Sequence, residues 1–156
     1  MRKLVEIKPT LPLLVYTQKR LRKWEGFDGI RTEVADSKEL YSEGDVLIVP
    51  HRVDGIGLGV LEGLASGMPV VTTEGSMWQE YPAIRRIEAT RSERVLGRSV
   101  DWYEPDPAHL AAICEQLIGL EIETESTAAR AWAEDRDWDR LGPVLLSGIQ
   151  SVCASA

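Results

Sequence analysis

Short, continuously apolar runs alternate along this chain with segments whose apolar residues recur every three or four positions. Leu13-Leu14-Val15-Tyr16-Thr17 follows Pro12 and reads as a strand, and Gly29-Ile30-Arg31-Thr32-Glu33-Val34 alternates apolar and polar as a half-buried strand does. Val46-Leu47-Ile48-Val49, stopped by Pro50, and Val70-Val71-Thr72-Thr73 have the character of central strands covered on both faces. Between them, Leu58, Leu61 and Ala65 are spaced three and four apart and are followed by Gly67 and Pro69, which predicts a helix over 58–66 with a glycine terminator. Asp36 is placed to cap a short helix over 37–42.

Further along, Leu110, Ile113, Cys114 and Leu117 share one face of a helix over 107–118. Asp106 is its N-cap and Pro107 its first residue. Residues 126–133 and 139–153 are also helical in pattern, although Gly142-Pro143 allows the last helix to begin only there. No repeat is visible, and 85–99 carries no readable period. Strand and helix in alternation predict an α/β domain with a parallel sheet, and 156 residues fit a single domain over 1–156.

Composition narrows the function classes. A net charge of −7 disfavours binding to a nucleic-acid backbone. The charge is uneven, with eight Lys/Arg against three Asp/Glu in residues 1–31 and ten against twenty-two thereafter. Lys19-Arg20-Leu21-Arg22-Lys23 reads first as a solvated surface and second as a peripheral contact with anionic lipid or phosphate. No run approaches the roughly 20 apolar residues of a membrane span, and no signal-peptide core follows Arg2-Lys3, so a soluble, cytoplasmic chain is expected. Cys114 and Cys153 have neither metal-ligand nor disulfide spacing.

In an open parallel sheet, ligands sit beyond the carboxyl ends of the strands. The loop His51 to Gly57 lies at such an end, and glycines at 55, 57 and 59 allow backbone amides close to a ligand at the positive end of the next helix. A diphosphate suits that place. Glu62 interrupts an otherwise apolar helix one turn along; it either points to solvent or accepts from paired hydroxyls such as those of a ribose.

The ordered run Leu40-Tyr41, Asp45-Val46-Leu47-Ile48-Val49-Pro50, Asp54-Gly55-Ile56-Gly57-Leu58, Leu61-Glu62-Gly63-Leu64-Ala65-Ser66-Gly67, Pro69 to Thr73 and Met77 to Tyr81 resembles the donor domain of retaining family-4 glycosyltransferases. Weaker similarity continues through Asp101-Trp102-Tyr103 and 107–118 to Ala129-Arg130 and Trp138. The resemblance implies a Rossmann-like three-layer domain, one half of a GT-B fold, that binds a nucleotide diphosphate-sugar donor without a metal or other cofactor. It implies donor contacts at Gly55, Ile56, Gly57, Leu58, Glu62, Ser76 and Glu80, with Glu62 on the ribose. Asp54 stands where the family has the first Glu of a Glu-x7-Glu pair, so any catalytic role there falls to a shorter side chain. His51 replaces a usual Ser and either reaches the donor sugar or bonds a nearby carbonyl. Glu80 has a second reading as a carboxylate at a helix start, and Trp78 as a stacking residue or core.

The family's Gly-Arg and Lys-Gly elements, which hold the donor diphosphate, are not matched. The resemblance therefore implies a chain that begins after that loop, needs an acceptor-binding domain in the same or another chain, and is weakly active or inactive alone. Two other readings stand beside it: a non-catalytic partner subunit with an exposed apolar docking face, and an NAD-dependent oxidoreductase using Gly55-x-Gly57-x-Gly59 with Glu74 as its acidic residue. Asp135-Arg136-Asp137 has the spacing of a metal-binding pair in an unrelated glycosyltransferase fold, and no metal is expected there.

Overall fold

A computed structural model describes residues 2–8, 10–16, 29–31, 40–53, 55–75, 79–95 and 99–154. Strands β3 (Leu47–Val49), β4 (Val70–Thr73) and β5 (Ala83–Ile87) form a parallel sheet with β4 in the middle. Strand periodicity sends alternate side chains to opposite faces, and the core divides accordingly. Val71 and Ile87 join Leu4, Leu110, Ile113 and Cys114 on one face, under α1 (Arg2–Ile7) and α3 (Pro107–Leu117). Val49 and Val70 join Val60, Leu64 and Ala129 on the other, under α2 (Leu58–Ala65) and α4 (Glu123–Glu134). Helices on both faces of a parallel sheet make this the α/β, Rossmann-like architecture the strand and helix order predicts. β1 (Val15–Tyr16) pairs in parallel with β2 (Ile30–Arg31).

Local chemistry sets most helix ends. Gly67, at φ 77°, terminates α2: Met68 N–H donates to the Gly63 carbonyl at 2.9 Å and Gly67 N–H to Leu64 at 3.0 Å, a Schellman closure. Asp106 caps α3 by accepting from Ala108 N–H at 2.8 Å, with proline next in line.

Several elements depart from the sequence pattern. Strand β1 begins at Val15, after Leu13 and Leu14 of its apolar run, and β2 at Ile30, after Gly29; Thr17 and 32–34 lie outside the described residues, as do Asp36 and 37–39, while Leu40 and Tyr41 form a 3₁₀ turn. Helix α2 buries Val60, Gly63 and Leu64 rather than the Leu58, Leu61, Ala65 stripe, and Leu58 is 64% exposed. Its contact with β3 selects the face, because Gly63 has no side chain to collide with Leu47. Helix α4 begins at Glu123, three residues earlier than its pattern.

Helix α5 (Trp138–Ala154) runs unbroken through Gly142-Pro143. It starts early because Asp137 caps it: the Asp137 side chain accepts from Asp139 N–H at 3.0 Å, and its carbonyl from Leu141 N–H at 2.9 Å. No residue of α5 is buried.

The segment 85–99, without a readable period, holds the end of β5 and all of β6 (Ala89–Val95) and reaches the start of β7 (Ser99–Pro105), which pairs antiparallel with β6. Among the described residues, no helix is long and apolar enough to cross a membrane.

Candidate functional site

The loop that leaves β3 and enters α2 lies at the carboxyl edge of the parallel sheet, the edge at which open α/β sheets bind their ligands. Gly57 closes this loop in the left-handed region at φ 72°, ψ 48°, a conformation that a side chain penalises by about 1–2 kcal/mol. It acts as the N-cap of α2 without a side chain to bond the first-turn amides. Its carbonyl accepts from Val60 N–H at 2.9 Å and Leu61 N–H at 3.2 Å. Among the described residues, no side chain caps the positive end of α2 by a hydrogen bond.

Two side chains hold the loop. Tyr81 donates its hydroxyl to the Ile56 carbonyl and lays its ring edge 3.5 Å from where a Gly57 Cβ would stand. The same ring meets Trp132 of α4 edge to face at 5.6 Å, and Arg136 lies 3.9 Å over the Trp132 ring. From the other side, Arg52 forms a two-pronged ion pair with Glu104 of β7, at 2.6 and 2.7 Å, while Tyr103 N–H donates to the Arg52 carbonyl at 2.9 Å. The Arg52 guanidinium, helped by Trp102 Nε1–H, holds the Glu104 carboxyl down at about 2. The same pairing raises the pKa of Arg52.

Glu62 sits in the second turn of α2 on its exposed face, four residues from Leu58. It does not simply point to water: Tyr41 donates its hydroxyl to Glu62 Oε2 at 2.6 Å. Burial, and then the bond and negative charge of Glu62, push the Tyr41 phenol up.

The sequence-predicted site residues divide into groups. Gly55, Ile56, Gly57, Leu58 and Glu62 share the loop and helix start, with Gly55 open to space and Ile56 69% exposed. His51 is exposed at the beginning of the same loop. Glu80 is exposed in the connection from β4 to β5, beside Tyr81, so that second loop meets the first through the Tyr81 ring. Glu80 precedes strand β5 and not a helix, which removes the helix-start reading. Asp54, Ser76, Trp78 and Lys19 to Lys23 lie outside the described residues. Thr73, at the carboxyl end of β4, buries a hydroxyl that has no hydrogen-bond partner among the described residues.

Asp135 and Asp137 both have structural tasks, Asp135 pairing with Arg140 and Asp137 capping α5. Burial pushes the Cys114 thiol up, as suits a packed core residue.

Tyr41, Tyr81, Arg52 and Glu104 were not legible as site residues in the sequence pattern. Tyr41 and Tyr81 fall within the stretch that carries the family resemblance, but no local pattern ties either to the residue it meets.

The profile of the family described as glycosyl transferases group 1 matches residues 16–118, well over half of the chain. The chain belongs to this glycosyltransferase family. No curated protein and no solved structure matches it.

Proposed function

We propose that this chain is the donor domain of a retaining, family-4 type glycosyltransferase. It binds a nucleotide diphosphate-sugar, whose sugar passes to an acceptor hydroxyl in glycan or polysaccharide synthesis. One observation carries the reading: the positive start of α2, which no described side chain caps by a hydrogen bond, lies at the carboxyl edge of the sheet, with an exposed carboxylate one turn along. An anionic diphosphate suits the first feature and ribose hydroxyls suit the second. Catalysis in this reading rests on stabilising the departing diphosphate and orienting the acceptor, without a resident metal or cofactor. His51, Ser76 and Glu80 are further donor-binding residues in the same reading, and Asp54 is its candidate catalytic carboxylate.

The acceptor is read by a second domain, in the same or another polypeptide. Helix α5 supports a docking partner of that kind, because Leu141, Leu145, Ile149 and Val152 are all exposed along it. The same face supports the second reading, a non-catalytic partner subunit. The present chain is expected to bind donor weakly and turn over little.

Calorimetric titration with uridine and guanosine diphosphates and their sugars, beside a transfer assay, tests the proposal. Glu62→Ala should lower nucleotide affinity at least about tenfold, the scale set by hydrogen bonds to a charged group. Unchanged affinity in that variant removes Glu62 from the site. Absence of any nucleotide binding by the wild-type chain defeats the donor-domain reading, and efficient transfer by the chain alone defeats the need for a second domain.

A further inference from the structure

We infer that Tyr41 is a positioning residue for Glu62: its hydroxyl occupies Oε2 and leaves Oε1 as the acceptor for the paired hydroxyls of a ribose. This rests on the donor-site reading of Glu62 given above. The contact is not a helix-neighbour accident, because Tyr41 lies 21 residues earlier, in the turn that precedes β3. At 2.6 Å it falls in the range of a hydroxyl donating to an ionised carboxylate. Half-burial of Tyr41 fixes the phenol, whereas Glu62 is exposed on its helix and has only this bond to choose its rotamer among the contacts described. Gly59, one turn before Glu62, lies beside the pair: a Cβ there would stand 4.0 Å from the Tyr41 oxygen, an ordinary contact distance.

The direction of the bond is also set. With its pKa raised by burial and by the Glu62 carboxylate, the phenol stays protonated and can only donate to Glu62 at neutral pH. A carboxylate held before the ligand arrives does not lose its rotamer freedom on binding, and that saving corresponds to roughly two- to twelvefold in affinity. It also fixes where the remaining oxygen sits, so that a ligand lacking one ribose hydroxyl is penalised.

The test is titration of the full chain with uridine and guanosine diphosphates and with their 2′-deoxy and 3′-deoxy counterparts. Tyr41→Phe should weaken ribonucleotide binding about fivefold, the ordinary net worth of one hydrogen bond. It should move deoxynucleotide binding by less, so that the preference between the two falls. That preference is a ratio taken on one preparation, so partial loss of folded protein leaves it unmoved. In a Glu62→Ala background, Tyr41→Phe should add less than about a twofold change, because its route to the ligand is gone. An equal cost in both backgrounds, or an unchanged preference, overturns the inference. If Glu62→Ala weakens binding and Tyr41→Phe does not, Tyr41 alone is removed from the site. A wild-type chain that binds no nucleotide overturns both this inference and the reading beneath it.

Discussion

Arg52 and Glu104 meet through two hydrogen bonds of 2.6 and 2.7 Å although they stand 52 positions apart in the chain. The pair ties the candidate site loop to the hairpin, and both side chains are about half exposed, 50% for Arg52 and 44% for Glu104. Solvent screening therefore limits its worth to about 0.5–1 kcal/mol. Glu104 titrates lower in the folded chain than in the unfolded one, so the stabilisation is complete above the ordinary carboxylate range and is lost as pH falls toward about 2. Comparing thermal melts of wild type and Glu104→Gln should show a constant gap of about 2 °C from pH 7 to 5 that closes below about pH 4.5. A gap that widens in acid would contradict the pairing.

Thr73 gives a prediction of opposite sign. Its buried hydroxyl has no partner among the described residues, and an unpartnered buried hydroxyl carries a desolvation cost of about 1–3 kcal/mol. Thr73→Val keeps the shape and removes the polar atom, so urea unfolding should show stability unchanged or raised by up to about 1 kcal/mol. A loss of more than about 1 kcal/mol would mean that the hydroxyl is satisfied in solution.

Helix α2 separates what the sequence could disclose from what it could not. Its ends were legible, because Gly67 and the Pro69 beyond it carry their chemistry locally. Its buried face was not: apart from glycines and Glu62, every residue from Leu58 to Ala65 is apolar, so spacing alone cannot choose between Leu58-Leu61-Ala65 and Val60-Leu64. The sheet decides, through Gly63 against Leu47. Leu64→Ala should therefore cost about 2–5 kcal/mol and Leu58→Ala under about 0.5 kcal/mol, measured by chemical unfolding. Equal costs would restore the sequence-read stripe.

The β6–β7 hairpin was illegible for a different reason. Between Ala89 and Val95, β6 holds only polar residues and so generates no apolar period, and Arg91 crosses the hairpin diagonally to Asp101 at 2.8–3.0 Å, a relation only three dimensions reveal. The same holds for the candidate site: the loop and Glu62 were visible as a run of residues, whereas Tyr41 and Tyr81 reach them across 21 and 25 residues. Asp137 was hidden by its own spacing, since an Asp-x-Asp that resembles a metal pair is here a helix cap.

Gly57 and Gly67 stand at opposite ends of α2 with nearly equal dihedral demands, φ 72° and 77°, and together they separate stability from binding. Alanine at either place meets only ordinary contacts, the Tyr81 ring at 3.5 Å for Gly57 and Ser126 Oγ at 3.4 Å for Gly67. The cost is then mainly the left-handed backbone, about 1–2 kcal/mol in each case, or a melting temperature lower by about 2–8 °C. Position 67 faces α4, where Ser126 donates to the Gly67 carbonyl at 2.6 Å and Arg130 to the Ala65 carbonyl at 2.7 Å, away from the proposed ligand. Position 57 sets the first turn of α2, where the proposed diphosphate would sit. Gly57→Ala should therefore weaken nucleotide binding several-fold, whereas Gly67→Ala should lose a similar amount of stability and keep its affinity. If both variants melt early and both bind like wild type, the start of α2 does not hold the diphosphate.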